Sequence, residues 1–532
     1  MLHVEGLNIS SKYNVLVKNV SFSIERGEIF SLVGESGSGK SLTCLSILSI
    51  LAEQLLVKGS ITFTNSSGIS ERIENMDSKT RKEYALKKIA YVFQEPLTAL
   101  NPVQTCGQQL KENIELCGLK GKKEINLRAC ELLAAVELVD YQRVLNAFPF
   151  QLSGGQRQRV MIAMAMAGDP DLIIADEPTT ALDVVLQDEI LGLLKKLCVE
   201  NKRSMLLVSH DIDAVARFSD RIAVMYKGEI VELGQTKDII QSPQHLYTKA
   251  LLACKPKPQN KGYYLQTLND SIDGEDFIPS AIPIETSSDE VLGKMAHLVK
   301  DYRDGTKVYR ALNDLSFEIK KGASVGLIGE SGSGKSTISR LMVKLEKLDK
   351  GSIEFDFKNN KPLTSNIQMI FQDPFAALNP ALKVVNMLDE VLQKHQSELN
   401  KGERKAALET LLTKVGLCAE DAQKYPNEFS GGQRQRLCIA RALAAKPELL
   451  ICDESTSALD LSVQAQILNL LKDLQVTENL SVLMITHSMA VAAWFCQYLV
   501  VLKNGEIIEQ GESKNLIEHP INEYTKAMVS HT

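Results

Sequence analysis

Two stretches of this sequence place three glycines, a lysine and a serine on one short segment: Gly34, Glu35, Ser36, Gly37, Ser38, Gly39, Lys40, Ser41, and again Gly329, Glu330, Ser331, Gly332, Ser333, Gly334, Lys335, Ser336. A loop of that spacing can wrap backbone N–H groups around phosphate oxygens. It sets Lys40 or Lys335 against the β- and γ-phosphates and offers Ser41 or Ser336 to Mg2+. A helix opening at the lysine points its positive end at the same anion. Leu42 and Thr337 are the next residues of the two stretches. A glycine-rich turn of this type arises by chance in roughly one chain in fifty, so two copies, each after an apolar run, set coincidence aside.

Carboxylates stand at the right kind of place to serve such loops. The apolar runs LIIAD and LLICD end in Asp176 and Asp453, where a carboxylate can join a Mg2+ shell without entering the core. The next residues, Glu177 and Glu454, stand one step further toward the phosphate and could orient or deprotonate an attacking water. Taken singly, Asp-Glu at a strand end is more often a solvated turn. Here it recurs 23 residues after Ser153 and again 23 residues after Ser430. Those serines begin SGGQRQR, which runs on into apolar helical sequence, so Ser153 and Ser430 are predicted helix N-caps and the free N–H groups behind them a second anion site.

These coincidences belong to a long repeat. Ser153 and Ser430, Asp176 and Asp453, Asp183 and Asp460, His210 and His487, Gly228 and Gly505, and Tyr247 and Tyr524 are all 277 positions apart. A constant offset over that length means a duplicated domain. The lysines are 295 apart instead, because the first copy carries a polar insertion around residues 65–88. Between the copies, residues 255–290 mix Pro256, Pro258, Pro279 and Pro283 with polar and acidic residues and show no period, which predicts a linker between domains 1–254 and 291–532. Nearly all-apolar strands alternating with helices predict α/β domains, each built on a mainly parallel sheet covered on both faces.

Composition narrows the function classes. The 532 residues are 44% apolar and 24% charged, ordinary for globular domains. With 60 Lys plus Arg against 66 Asp plus Glu, the formal charge is −6, without the basic excess of a nucleic-acid binder. The ten cysteines form no CxxC pair, which argues against a zinc ribbon, an iron–sulfur cluster or a disulfide scaffold. The first residues lack the layout of an export signal, and no apolar run reaches the roughly 20 residues needed to span a bilayer.

Together the loop, the strand-end carboxylates and the segments LSGGQ (Leu152 to Gln156) and FSGGQ (Phe429 to Gln433) resemble the ATP-binding-cassette ATPases. The resemblance covers both halves. It implies two tandem P-loop NTPase domains, each with a parallel sheet core, an antiparallel β subdomain and a helical subdomain. It implies ATP and Mg2+ as ligands, with each ATP lying between the loop of one cassette and the signature of the other. Carried over, Gly34 to Ser41 would pair with Ser430, Gly431, Gly432 and Gln433, and Gly329 to Ser336 with Ser153, Gly154, Gly155 and Gln156. Gln94 and Gln372 match the family's Q-loop glutamine, a Mg2+ and water contact. Ala181 to Asp183 and Ala458 to Asp460 match its D-loop, and His210 and His487 its switch histidine. Tyr13, and Tyr302 in preference to Tyr309, are the expected adenine-stacking aromatics. Ser455 departs from the family's usual proline, present as Pro178, without removing a catalytic group; Leu42 departs from a common hydroxyl residue.

Finer features are similar to one branch. QEPLTALNP from Gln94 and QDPFAALNP from Gln372, with the tails SPQHLYTKALLACKP and HPINEYTKAM, resemble the dipeptide, oligopeptide and nickel importers, here fused as in microcin-C-type peptide importers. The resemblance implies an ATPase subunit on the cytoplasmic face of the inner membrane. Its partners would be two integral permease subunits and, through them, a substrate-binding protein, with no nucleic acid. The tail lacks the cysteine cluster of some relatives, so no metal centre is expected there. A twin-cassette ATPase acting on ribosomes would be expected to carry a long charged helical linker and a basic RNA-facing surface. This linker is short, proline-bearing and partly acidic.

Overall fold

The computed structural model describes residues 2–52, 54–65, 68–179, 183–268, 279–283, 288–305, 307–359, 361–456 and 459–530. The chain divides into two units, Met1–Leu252 and Ala253–Thr532. Each is built the same way, for reasons visible in the strands. Ile29–Val33, Leu172–Asp176 and Ser204–Ser209 are buried at every position, as strands covered on both faces must be. Leu2–Ser10 alternates buried and exposed side chains, the pattern of an antiparallel strand with one wet face.

In the first unit a six-stranded sheet runs Glu229–Gln235, Arg221–Tyr226, Ile29–Val33, Ser204–Ser209, Leu172–Asp176, Ile89–Val92. All neighbours are parallel except the edge pair Arg221–Tyr226 and Glu229–Gln235. The second unit repeats the order with Glu506–Glu512, Tyr498–Lys503, Ser324–Gly329, Ser481–Thr486, Leu449–Asp453 and Ile367–Ile370. Parallel register then brings functional ends together: Val33 pairs with Ser209, Asp176 with Val208, and Val92 with Ala175. The loop, the carboxylates, the histidine and the glutamine therefore leave the sheet at one edge, its carboxyl end, where ligands of open α/β sheets bind.

A second, antiparallel sheet packs over the loop helix in each unit, and the insertion separates the copies here. The first has four strands, closed by Ser70–Arg72, and a helix at Ser78–Lys87; the second has three strands. Leu2, Leu7, Ile9, Ile24, Phe30, Leu32, Ile47 and Phe63, all at 0% exposure, join this subdomain to the core of the first unit. Each such side chain contributes about 1.5–3 kcal/mol on burial. The helical subdomain comprises Cys106–Leu116, Lys122–Ala135 and Gly154–Ala165 in the first copy, and Val384–His395, Lys401–Lys414 and Gly431–Leu443 in the second.

Part of the segment between the copies has a definite seat on the second unit. Trp494, 1% exposed, donates its indole N–H to the carbonyls of Asn260 and Tyr263 at 3.2 and 3.1 Å. Asn469 clamps the backbone of Leu265 from both sides, accepting from its N–H at 2.9 Å and donating to its carbonyl at 2.8 Å. Tyr264 donates to Asp473. At the 277-residue offset the first copy has Arg217, Gly192 and Lys196 instead. The seat therefore belongs to the second copy's sequence.

Candidate functional site

The two loops open helices at Lys40–Ile47 and Lys335–Met342. Gly39 and Gly334 stand before them at φ 103 and 105, a backbone open to glycine. Gly34 and Gly329 are required by close approach: a Cβ there would lie 2.2 Å from the Met225 carbonyl and 2.3 Å from that of Leu502. Lys40 is 4% exposed and donates to the carbonyls of Gly34 and Glu35 at 2.8 and 2.9 Å. Lys335 repeats this with Gly329 and Glu330, both at 2.7 Å. The Ser38 and Ser333 hydroxyls are buried in the loops without a hydrogen-bond partner. Such orphaned polar atoms fit loops shaped for an added polar group. Leu42 turns instead to the apolar core.

Around each lysine the predicted side chains converge. Ser41 Oγ donates to Asp176 Oδ1 at 3.2 Å, and Ser336 Oγ lies 3.5 Å from Asp453 Oδ1. Glu177 lies 3.7 Å from Lys40, accepts from Gln94 Nε2 at 2.9 Å and meets His210 Nδ1 at 3.1 Å. Glu454 accepts from Gln372 Nε2 at 2.7 Å and lies 3.9 Å from His487. Burial pushes Asp176 and Asp453 above the ordinary carboxylate range, against the pull of their hydroxyl donors. Burial also raises Glu454, but the hydrogen bond and charge of His487 and the charge of Lys335 outweigh it, leaving that carboxyl below its usual value.

Both glutamates adopt φ 46, a left-handed conformation rare for a side-chain-bearing residue and costing about 1–3 kcal/mol. Their amides are fixed by the carbonyls of Val208 and Ile485 at 3.0 and 2.9 Å. The equal φ shows that Ser455 in place of Pro178 leaves the turn unchanged. The same strained conformation is thus held at the same residue of both copies.

Ser153 and Ser430 cap the helices Gly154–Ala165 and Gly431–Leu443. Each serine Oγ accepts from the Gln156 or Gln433 amide, and each glutamine Oε1 accepts from the serine N–H. Gly154, Gly155, Gly431 and Gly432 form the first turns. Asp183 caps Val184–Asn201, accepting from the Leu186 amide at 3.0 Å, and Asp460 stands at the N-cap of Leu461–Thr477. Ala181 and Ala458 lie outside the described residues.

One aromatic assignment changes. Lys18 and Asn313, 295 positions apart, donate to the carbonyls of Gly228 and Gly505 and so mark the same point of the two copies. At that offset Tyr13 falls on Val308, beside Tyr309 and far from Tyr302. Tyr302 donates to Glu346, whereas the exposed Tyr309 brings its hydroxyl to 3.5 Å from the Gly332 carbonyl in the loop. Tyr309 therefore replaces Tyr302 as the second copy's candidate for stacking a base; Tyr13 is 83% exposed.

Sequence reasoning missed two residues behind the carboxylates. Tyr91 donates to Asp176 Oδ2 at 2.7 Å, and Ser339 to Asp453 Oδ2 at 3.1 Å. They are not equivalent: Tyr91 pairs with Ile174 across the sheet where the second copy pairs Met369 with Ile451, and Ser339 takes the place of Cys44, four residues past the lysine. Each copy thus holds the same carboxylate oxygen from a different element.

Among the described residues no helix is long and apolar enough to cross a membrane, and no cluster of three His, Cys, Asp or Glu forms a metal site. The ABC transporter family matches residues 17–180 and 312–457, and the C-terminal region of oligopeptide/dipeptide transporters matches residues 231–276. The peptidoglycan transport ATP-binding protein YejF of Agrobacterium fabrum is 40% identical over 97% of this chain and 93% of its own length. The glutathione import ATP-binding protein GsiA of Escherichia coli K12 is 39% identical over 100% and 89%. A solved structure titled RNase-L Inhibitor superposes with a TM-score of 0.61 at 20% identity, covering 98% of this chain and 93% of that one, which is a likeness of fold.

Proposed function

The chain belongs to the ABC transporter family, and from that premise we propose how its two cassettes serve as the ATPase of a peptide importer. It is a nucleotide-binding ATPase subunit that energises membrane transport, and its full-length relatives and the matched oligopeptide/dipeptide region set the class of cargo as peptides. The observation that carries the catalytic reading is the repeated set of Lys, Asp, Glu, Gln and His at one sheet edge in each copy.

In this reading the loops Gly34 to Ser41 and Gly329 to Ser336 bind the triphosphate through backbone N–H groups, and Lys40 and Lys335 neutralise its outer charge. Ser41, Asp176 and Gln94, with Ser336, Asp453 and Gln372, offer hard oxygens of the kind Mg2+ takes. The ion, when bound, would supply charge neutralisation at the transferring phosphoryl group. Glu177 and Glu454 accept a proton from the attacking water, and His210 and His487 hold those carboxylates in place. Ser153 to Gln156 and Ser430 to Gln433 present capped helix ends as further anion contacts. Tyr13 and Tyr309 offer ring faces to the base. The cassettes are residues 1–254 and 291–532, joined by 255–290.

Exposed apolar side chains beside each Q-loop, Phe93 and Val103 in one copy, Phe371 and Phe375 in the other, support a membrane partner. The partners in this reading are two integral permeases, reached from the cytoplasmic face, with a substrate-binding protein beyond them. The test is gentle solubilisation of membranes carrying the tagged chain, followed by identification of what co-purifies. Two polytopic subunits are expected. Ribosomal proteins with no membrane partner would overturn the assignment.

A further inference from the structure

Tyr247 and Tyr524 lie in the tails after the two cassettes, outside the loop, carboxylate and signature motifs, and recur at the 277-residue offset. Each stands in a short tail helix, Leu246–Ala253 or Glu523–Val529. The structure carries both back to the phosphate loops. The Glu35 N–H donates to Tyr247 Oη at 3.2 Å, and the Glu330 N–H to Tyr524 Oη at 3.1 Å. Glu35 N–H and the Gly34 carbonyl belong to one trans peptide, lie in its plane and point in opposite directions. The Gly34 carbonyl accepts from the ammonium of Lys40 at 2.8 Å, and that of Gly329 from Lys335 at 2.7 Å. The tyrosine and the lysine therefore grip the same peptide from its two opposite edges, in both copies.

The tyrosines are themselves held. Tyr247 is 1% exposed and stacks on Tyr226 with centroids 4.2 Å apart, and Lys503, at the position of Tyr226, sets its ammonium 4.5 Å from the Tyr524 ring. A hydroxyl on a ring held in this way has little freedom to follow the loop, so it acts as a stop on the peptide.

We propose that Tyr247 and Tyr524 are positioning residues of the nucleotide sites, which fix the Gly34–Glu35 and Gly329–Glu330 peptides and through them the seat of Lys40 and Lys335. The tail that follows each cassette is in this way part of its phosphate site. The inference rests on the reading of the loops as nucleotide sites.

The test uses the full chain with Tyr247→Phe and Tyr524→Phe together, which keep the rings and remove the hydroxyls. Loss of one such hydrogen bond per site is expected to weaken ATP binding about fivefold, read by calorimetry with Mg-ATP. The thermal midpoint without nucleotide is the control for folding. The decisive comparison is the same pair of changes in a Lys40→Ala, Lys335→Ala background, where the fivefold effect must vanish because the group it acts through is gone. Unchanged ATP affinity in the tyrosine variant, or an equal loss with and without the lysines, would overturn the inference. If the lysine changes themselves leave ATP binding intact, the nucleotide-site reading fails instead.

Discussion

Replacing Glu177 by Gln preserves the size of the side chain and one hydrogen-bonding oxygen, and removes a charge and a proton acceptor. The structure sets two consequences of opposite sign. Glu177, 14% exposed, lies 3.7 Å from Lys40, itself 4% exposed, an attraction of about 4 kcal/mol at an effective dielectric near 20. In the parent, a bound phosphate competes with this carboxylate for the ammonium and is repelled by it. With glutamine there, Lys40 is freed for the nucleotide. Because the ammonium keeps its two bonds to the loop carbonyls, only part of that attraction is released, and ATP binding tightens by about tenfold, roughly 1.4 kcal/mol. Hydrolysis moves the other way: losing a positioned general base slows it by about 10²–10⁴-fold, or roughly 3–5 kcal/mol in the barrier. Hydrolysis is expected to slow likewise in Glu454→Gln, whose carboxylate sits between Gln372 and His487. The assay is phosphate release under saturating Mg-ATP for each single variant and the double variant, beside nucleotide affinity measured without turnover. Parent turnover in the double variant would refute the base assignment. Slow turnover with weaker binding would show that Glu177 holds the nucleotide rather than the water.

Three further outcomes are expected. Tyr91→Phe removes the hydroxyl that holds Asp176 Oδ2 and weakens Mn2+ binding in the presence of nucleotide, followed by electron paramagnetic resonance, by about tenfold; adding Cys44→Ser, which imports the second copy's solution, restores it. Gly34→Ala drives a Cβ against the Met225 carbonyl and lowers stability by about 1–3 kcal/mol, whereas Gly37→Ala meets nothing within 4 Å and costs about 1 kcal/mol from its positive φ alone; thermal unfolding ranks the two. His395 hydrogen-bonds Ser365 at 2.8 Å, and its burial, with the charges of Lys394 and Lys361, holds its pKa below the usual 6.5. Below that value the unfolded chain binds the proton more readily, so stability present at neutral pH is lost as pH falls; the thermal midpoint between pH 7.5 and 5.5 drops less steeply in His395→Gln.

What could be read from the sequence follows the range of the physics involved. The capping of Ser153 and Ser430 was legible because a cap is settled within four residues. The buried strands were legible because burial on both faces demands an unbroken apolar run. Tyr91 was not legible as the partner of Asp176, because the pair is 85 residues apart and meets only through sheet register. The preference for Tyr309 over Tyr302 lies in spacing from the loop, since Tyr13 stands 27 residues before Lys40 and Val308, next to Tyr309, 27 before Lys335, whereas the bond from Tyr302 to Glu346 shows only in the fold. The left-handed glutamates were hidden for a different reason: that conformation is announced in sequence by glycine or asparagine, and here both positions carry a glutamate.

The two copies also separate the features they share from those they do not. The loop lysine, the glutamate at φ 46, the capping serine and the tail tyrosine coincide in both. One layer further out the coincidence ends. Asp176 is tied to Tyr91 on the strand that runs directly into Gln94, while Asp453 is tied to Ser339 on the helix that starts at Lys335. Both carboxylates also face the serine that follows the loop lysine, Ser41 at 3.2 Å and Ser336 at 3.5 Å, so the copies differ in whether the further tie runs to the Q-loop strand or to the loop helix. The asymmetry lies in which element holds the acid, and the acid itself is common to both.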